Sequence, residues 1–398
     1  MKAILKDYLD LESLVADVMD LVRIPSYPGI PRQETAVAEA LKQKFLDAGI
    51  EAYTDETEDG RCNIYAKLSG SGGGKNLLLS GHMDTVSPNN HPRGLDPYLE
   101  DGKLFGRGTC DMKGALCCML AAMKAIKDSG LPHKGDILFA GVCDEEMKSI
   151  GTIDAIEKGH LADGVIIGEP TQLQVHRAQR GLEWYQFTFY GKTVHGGRQR
   201  EGINAINMAQ KFLNAVMEDL APRIFARKHD LLVESTVNIA TIQGGTGLST
   251  VPGLCKVGVD RRFLPYEDFN GVGKEFQDIL DQLTAEDPTF KADMIPDEEA
   301  ACKPGYMHVA FETPAEDPLV QAARRSAAQV RGFDEEPGAH VAWTDAALFA
   351  VYGKIPAVII GPGEGRVCHS ECEYVPLTDY ENVSMEYALT ALDFCNQD

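Results

Sequence analysis

Residues 77–86 read Leu-Leu-Leu-Ser-Gly-His-Met-Asp-Thr-Val, an apolar run that ends in a His-x-Asp pair. A short apolar run of this kind predicts a buried strand. His82 and Asp84 then follow the carboxyl end of that strand, where open α/β sheets bind their ligands. One ring nitrogen of His82 can bind a metal ion while the Asp84 carboxylate accepts the other N–H and selects the tautomer. The stretch therefore predicts a metal site at the edge of a sheet.

Other metal-capable side chains follow predicted strands or tight turns further along the chain. Most of them come after the predicted strands 136–142, 164–167 and 357–360. Asp111 lies instead in the glycine-rich turn 106–114, whose glycines let the backbone aim the carboxylate inward. Together with His82 these residues predict a two-metal hydrolytic site. The residues are Asp111, Glu145, Glu146, Glu169 and His369.

Length, charge and cysteine content restrict the class of protein. A chain of 398 residues is long enough for two domains. A formal net charge of −22 argues against nucleic acid and anionic membrane surfaces as partners. We find no N-terminal signal-like segment and no apolar run of membrane-spanning length, which predicts a cytoplasmic protein. The ten cysteines form no Cys-x-x-Cys pair, as is typical of a reducing compartment.

Hydrophobic periodicity predicts two kinds of architecture in one chain. Continuously apolar strands alternate with helices up to about Gln179 and again near the C-terminus, which indicates a mostly parallel sheet with helices on both faces. Between them, strands with one solvated face follow the order β-α-β-β-α-β, which is ferredoxin-like. We therefore predict an α/β domain formed by 1–179 and 301–398, interrupted by a smaller α+β domain at 180–300.

The predicted elements follow from the spacing of apolar residues and from glycine and proline positions. Helices are predicted at 7–23, 31–48, 112–129, 149–158, 202–220, 269–283, 318–329, 345–352 and 378–394. Strands are predicted at 62–68, 76–80, 136–142, 164–167, 182–190, 233–243, 254–262, 290–295 and 357–360.

Several motifs occur in the order found in a known enzyme family. They are 81–86, 106–114, 144–146, 168–171, 194–196, 202–206 and His369. On these motifs the chain resembles the cocatalytic zinc amidohydrolases that include acetylornithine deacetylase, succinyl-diaminopimelate desuccinylase, aminoacylase and glutamate carboxypeptidase. The resemblance implies a metallopeptidase-like catalytic domain and, in the insert, a lid and dimerisation domain.

The resemblance also implies a ligand set for two divalent metal ions. Asp111 would bridge the two ions. The remaining ligands would be His82 and Glu169 for one ion, and Glu146 and His369 for the other. A mixed set of imidazole and carboxylate ligands suits Zn²⁺, and Co²⁺ or Mn²⁺ would also be accepted.

Further roles carry over by the same resemblance. Glu145 would be the general base, and Asp84 would support His82. His195 would stabilise the oxyanion, in this family often from the partner subunit. Arg262 would bind the substrate carboxylate through its fork of N–H donors. The neighbouring Arg261 could be a residue that merely faces solvent. Asp345, near a motif that lines the family's substrate pocket, is a further candidate.

Each motif alone has a simpler structural interpretation. His82 and Asp84 could form a buried hydrogen-bonded pair, and the pair at 145–146 could begin a solvated helix, where acidic residues suit the helix dipole. Glu169 could occupy an ordinary turn, and His195 could be a loop histidine. Only the joint occurrence of these residues, at strand ends and in one order, favours the functional interpretation.

The sequence therefore predicts a two-metal hydrolase that cleaves the amide bond of a small N-acyl amino acid, using activated water and a glutamate base. One alternative is a metallo-carboxypeptidase or dipeptidase that acts on short peptides. An alternative of another class is a non-catalytic binding protein with a retained fold. A homodimer is also expected, because the alternating strands of the insert present an edge suited to pairing.

Overall fold

The computed structural model describes residues 1–57, 59–88, 91–297 and 301–398. The chain forms two compact units. The first unit comprises Met1–Ala178, Glu312–His340 and Thr344–Asp398; the second comprises Gln179–Phe311 and Val341–Trp343. Residue 300, the predicted end of the insert, lies outside the described residues, and the second unit continues to Phe311. The division into a catalytic and a lid domain stays a prediction.

Strands and helices are numbered in chain order. The described strands are β1 (Glu51–Glu56), β2 (Cys62–Leu68), β3 (Leu77–His82), β4 (Tyr98–Glu100), β5 (Lys103–Phe105), β6 (Ile137–Val142), β7 (Val165–Ile167), β8 (His176–Gln179), β9 (Gly181–Tyr190), β10 (Lys228–His229), β11 (Val233–Glu234), β12 (Thr236–Gly244), β13 (Leu254–Phe263), β14 (Ala292–Pro296), β15 (Phe311–Glu312), β16 (Gly338–His340), β17 (Ala357–Ile359) and β18 (Tyr374–Pro376). The described α-helices are α1 (Lys2–Lys6), α2 (Leu11–Arg23), α3 (Thr35–Asp47), α4 (Lys113–Ser129), α5 (Ile150–Glu157), α6 (Ala205–Ala215), α7 (Ala221–Phe225), α8 (Phe269–Glu286), α9 (Pro318–Arg331), α10 (Ala346–Val351) and α11 (Leu377–Phe394). In the described part of the chain, every helix is too short or too polar to cross a membrane.

The main sheet has nine strands in the order β1-β2-β6-β3-β7-β17-β8-β15, with β16 paired to β8. Its four central strands, β6, β3, β7 and β17, run parallel. The pairs β1–β2, β2–β6 and β17–β8 are antiparallel. The predicted α/β fold class is confirmed, with the parallel arrangement confined to the centre. Because the central strands are parallel, their carboxyl ends meet at one edge of the sheet.

Burial explains why the central strands are almost entirely apolar. Every residue of β3 is buried, so both faces of this strand are covered. Leu77 and Leu79 join the core cluster to which α4 and α11 also contribute. Burying each such leucine contributes roughly 1.5–3 kcal/mol. Gly81 and Gly168 let α4 approach the strand ends, because a Cβ at either position would lie within 3 Å of the Met112 side chain.

The second unit has a four-stranded antiparallel sheet in the order β12-β13-β9-β14. Helices α6 and α8 fall between its strands in sequence, as the predicted β-α-β-β-α-β order requires. Alternate residues of β9, including Phe187 and Phe189, contribute to a core with Phe212 of α6 and Phe276 of α8. The ring centroids of Phe187 and Phe212 are 4.4 Å apart.

Several predicted boundaries differ from the structure for identifiable reasons. Helix α6 begins at Ala205 because the Asn204 side chain accepts hydrogen bonds from the N–H groups of Ile206 and Asn207 and caps the helix. The helix predicted to begin at residue 31 begins at Thr35. The sequence does not predict strand β1, because half of its residues are charged and its apolar residues do not alternate with polar ones.

Candidate metal centre

The predicted ligands gather where the parallel strands end. His82 is the last residue of β3. Glu145 and Glu146 lie in the loop after β6, and Glu169 follows β7 by two residues. All four side chains are largely buried, with His82 only 2% exposed. Fixed strands thus hold acidic groups and an imidazole together in a site with little solvent.

Asp111 lies between the two histidines. Its Oδ1 is 3.0 Å from His82 Nε2, and its Oδ2 is 3.1 Å from His369 Nε2. On one side, Glu169 Oε1 is 3.3 Å from His82 Nε2. On the other side, Glu146 Oε1 is 3.1 Å from His369 Nε2. The five residues therefore form two donor clusters that share the Asp111 carboxylate, with the half-exposed His369 at the solvent side.

These donors suit divalent metal ions. Donor atoms of His82, Glu145 and Glu169 lie within 4.8 Å of one another, as do those of His82, Asp111 and Glu146. Glu145 thus belongs to one convergent group, although its Oε2 is 3.9 Å from His82 Nε2, further than Glu169. Carboxylates buried side by side repel one another unless cations neutralise them. Oxygen and imidazole donors at such distances fit a pair of divalent ions.

The pKa shifts of the clustered side chains are also consistent with a site for divalent metal ions. Burial raises the pKa of Glu145 well above its usual value, and burial and the Asp111 charge raise that of Glu169 to about 7. Burial also acts to raise the pKa of Asp111, but hydrogen bonds with His369 and His82 outweigh it and lower that pKa. The contacts with Asp111 and Glu146 raise the pKa of His369 to about 10. Without an ion, protons on the imidazoles would offset part of the carboxylate charge, and a bound metal ion would take the place of those protons.

Asp84 contacts both His82 and the loop that carries the two glutamates. His82 Nδ1 is 3.0 Å from the backbone carbonyl oxygen of Asp84 and 3.5 Å from its carboxylate. A carbonyl oxygen only accepts, so Nδ1 carries the hydrogen and Nε2 is left with a lone pair for a metal. The Asp84 carboxylate also accepts hydrogen bonds from the backbone N–H groups of Glu145 and Glu146, at 3.2 and 3.0 Å. It therefore orients the loop that carries both glutamates.

Glu373 shapes the turn that presents Asp111 and was not singled out in the sequence. It is fully buried, and its Oε1 accepts hydrogen bonds from the N–H groups of Gly108, Cys110 and Asp111 at 2.9, 2.9 and 3.1 Å. Its Oε2 accepts a hydrogen bond from Arg107 Nη1 at 2.5 Å. The glutamate lies in no motif and is distant in sequence, so no local pattern could have revealed it.

We expect Glu373→Gln to lower the free energy of unfolding by about 3–5 kcal/mol, because the buried Arg107 guanidinium would lose its ionic partner. Urea and thermal denaturation would measure the change. The pair formed by Arg331 and the exposed Glu335 provides the control, since Glu335→Gln should change stability by no more than ~0.5 kcal/mol. Equal effects of the two variants would contradict the supporting role of Glu373.

Asp345 is buried at the start of α10, in the same unit as the metal ligands. Its Oδ2 accepts a hydrogen bond of 2.6 Å from the Thr152 hydroxyl in α5. Burial raises its pKa to about 6. Thr152 follows the loop of Glu145 and Glu146, so Asp345 braces the helix that ends this loop. The hydrogen bond from Thr152 gives the Asp345 carboxylate a structural role. Its position in a substrate pocket stays a prediction.

The structure places the other two predicted residues in the second unit. His195 is exposed, and its Nδ1 accepts a hydrogen bond from the N–H of Gly197 at 3.1 Å. Arg262 pairs with Asp260 on the same strand, with Nε 2.9 Å from Oδ1. The expectation that Arg261 faces solvent is wrong: its side chain is fully buried and contacts Glu267 at 2.5 Å.

Buried carboxylates and imidazoles at the edge of an α/β sheet are characteristic of a metal-dependent hydrolase. Residues 78–393 match the sequence model of Peptidase family M20/M25/M40, and the chain belongs to this family. It is 30% identical over 402 residues to an acetylornithine deacetylase of Myxococcus xanthus, covering 97% of this chain and 98% of that protein. It is 27% identical over 377 residues to a probable succinyl-diaminopimelate desuccinylase of Staphylococcus epidermidis, covering 86% and 88%.

A solved structure supports the fold independently. Aminopeptidase PepT from Bacillus cereus matches with a TM-score of 0.80 at 23% identity, covering 98% of this chain and 99% of that chain. Family membership and the donor clusters together make this chain a metal-dependent hydrolase of amide bonds. The predicted family and enzyme class are confirmed, and the alternative of a non-catalytic binding protein is not favoured.

Proposed function

We propose that this chain hydrolyses the amide bond of small N-acyl amino acids, releasing a carboxylate and a free amino group. The convergence of His82, His369 and four carboxylates on one sheet edge carries the proposal. The two curated relatives described above, named for removal of acetyl and succinyl groups, support this substrate class. Both match over most of their length, and the family model spans residues 78–393, which include every predicted metal ligand.

We assign two divalent ions to the two donor clusters. Asp111 would bridge them, His82 and Glu169 would complete one site, and Glu146 and His369 the other. Zn²⁺ is the proposed native ion, with Co²⁺ or Mn²⁺ as substitutes, because imidazole and carboxylate ligands suit all three. When bound, the ions supply Lewis acidity, which polarises the scissile carbonyl and makes water more acidic.

Glu145 is proposed as the general base. Its side chain is largely buried, and burial raises its pKa, which makes it a stronger base than an exposed glutamate. Glu145 would take a proton from the attacking water as the new C–O bond forms. It would then deliver that proton to the leaving nitrogen as the C–N bond breaks, so the base is regenerated. Asp84 would hold the Glu145 backbone in place throughout.

His195 as the donor to the oxyanion and Arg262 as the partner of the substrate carboxylate remain proposals. Arg262 already pairs with Asp260, so a substrate carboxylate would have to share or replace this partner. A homodimer and a cytoplasmic location likewise remain predictions, as does the absence of nucleic-acid and membrane partners.

A substrate panel tests the proposal. The metal-loaded protein should hydrolyse N-acetyl and N-succinyl amino acids with a higher kcat/KM than dipeptides and tripeptides. Treatment with a chelator should abolish turnover, and added Zn²⁺, Co²⁺ or Mn²⁺ should restore it. A preference for peptides would favour a dipeptidase or carboxypeptidase on the same site. The absence of turnover on every amide, with two ions bound, would overturn the proposed function.

A further inference from the structure

The loop after β6 is held by side chains from three separate segments. Four consecutive backbone N–H groups, those of residues 143–146, each donate to a side-chain oxygen. Cys143 donates to Asn63 Oδ1 at 3.1 Å, and Asp144 donates to Glu34 Oε1 at 3.2 Å. The next two donate to the Asp84 carboxylate, as described above. All three accepting side chains are fully buried.

Arg61, the residue immediately before β2, joins this arrangement. Its Nη1 is 3.2 Å from Glu34 Oε1 and 2.9 Å from Asp144 Oδ1, so one guanidinium nitrogen bridges two carboxylates. Its Nε is 2.7 Å from Asp59 Oδ2, which orients the guanidinium plane. The Arg61 side chain is only 12% exposed. A partly buried guanidinium with three carboxylate partners is costly to remove and firmly oriented.

The loop needs such external support. Asp144 has φ +73°, in the left-handed region that residues other than glycine seldom adopt. Holding a residue there costs of order 1 kcal/mol or more and persists only where surrounding contacts enforce it. Asp144 immediately precedes Glu145 in the chain. A relaxation of its backbone would therefore move the Glu145 carboxylate directly.

We propose that Arg61 and Glu34 are positioning residues that hold the backbone of Asp144 and thereby aim Glu145 at its reaction partner. The pair contacts neither Glu145 nor the predicted metal ligands through its side chains. Arg61 contacts the Asp144 carboxylate, and Glu34 accepts a hydrogen bond from the Asp144 N–H. The proposal rests on the proposed function of Glu145 as base and goes beyond it by naming what sets the position of that base.

The charged groups around residue 61 favour arginine over lysine at this position. The Arg61 guanidinium contacts the buried carboxylates of Glu34 and Asp144 and, through Nε, the carboxylate of Asp59. Lysine presents a single ammonium point and cannot reproduce the planar fork that reaches Glu34, Asp144 and Asp59 together. Arg61→Lys therefore keeps the positive charge but loses the geometry.

The test compares Arg61→Lys with Arg177→Lys. Arg177 is a matched control in the same unit, because its side chain is 15% exposed and pairs with Glu312 at 2.6 Å. We expect R61K to lower kcat at least tenfold, since misplacement of a reacting group by about 1 Å can cost 10²-fold. KM and the content of two ions per chain should stay within twofold of wild type, and R177K should match wild type throughout.

Two further measurements separate positioning from a general loss of stability. Methylguanidine added to Arg61→Ala should restore part of kcat, whereas it should not affect R177K. Hydrogen exchange of the amides at 143–146 should be faster in R61K than in R177K, in metal-free and in metal-loaded protein. Glu34→Gln keeps the side-chain volume and serves as a second variant if Arg61→Ala does not fold. We expect it to lower kcat and to speed exchange at 143–146, as R61K does.

Three results would overturn the proposal. They are wild-type kcat in both R61K and Glu34→Gln, a loss of kcat that simply follows a loss of bound metal, and unchanged exchange at 143–146. Inactivity of the wild type on every amide would instead overturn the proposed function. Faster exchange at 143–146 in R61K would still support the positioning role in that case, so the two failures are distinguishable.

Discussion

Replacing Glu145 with glutamine should lower kcat by about 10²–10⁴-fold while both metal ions stay bound, because general bases typically contribute this much. Glutamine has nearly the same volume as glutamate and keeps the contacts of the surrounding loop. It cannot accept a proton from water at neutral pH. Turnover of an N-acetyl amino acid and metal analysis of the same preparation would measure both quantities.

Glu146→Gln provides the contrast, because the two glutamates are adjacent in the chain and similarly buried. Glu146 Oε1 is 3.1 Å from His369 Nε2, within one donor cluster, so its loss should reduce the metal content as well as kcat. Glu145 Oε2 lies within the group formed with His82 and Glu169. A loss of metal from Glu145→Gln would therefore identify Glu145 as a ligand and remove it from the role of base.

Replacing Asp111 with asparagine should have the broadest effect on the site. Its two carboxylate oxygens face His82 and His369 separately, which is the geometry expected of a bridging ligand. Asparagine offers one oxygen and one NH₂ group, and the NH₂ group has no lone pair for a metal. We expect the metal content to fall to at most one ion per chain and turnover to fall below detection.

Asp128→Asn is the control for this substitution. Asp128 lies near the end of α4, is partly exposed and pairs with Lys124. Its replacement should leave the metal content and kcat unchanged. Retention of two tightly bound ions by Asp111→Asn would contradict the bridging assignment, whatever the effect on turnover.

The location of the candidate site was predictable because parallel strands bring their carboxyl ends together. Once β3, β6 and β7 were identified as buried strands, His82, Glu146 and Glu169 had to lie near one another. The supporting residues were not predictable in the same way. Glu373 and Glu34 act through backbone N–H groups far away in sequence, and an acceptor for a backbone N–H has no local pattern.

The burial of Arg261 follows from the alternation of residues along strand β13. Successive residues of a strand alternate between the two faces of a sheet. Arg261 shares its parity with Val257, Val259 and Phe263, all of which are buried, so β13 directs it into the core. Its charge suggested solvent, but the buried Glu267 provides an ionic partner there. Alternation was the better guide to its position than polarity.

The predicted ligands are also divided along the chain in a way that affects how the protein is made. Four of them precede the inserted second unit, and His369 follows it. On a ribosome, a nascent chain would expose Asp111 and the two glutamates long before the last imidazole emerges. Until His369 is synthesised, the ligand set for the second ion would be incomplete. Ion capture should therefore mark the completion of synthesis and not its early stages.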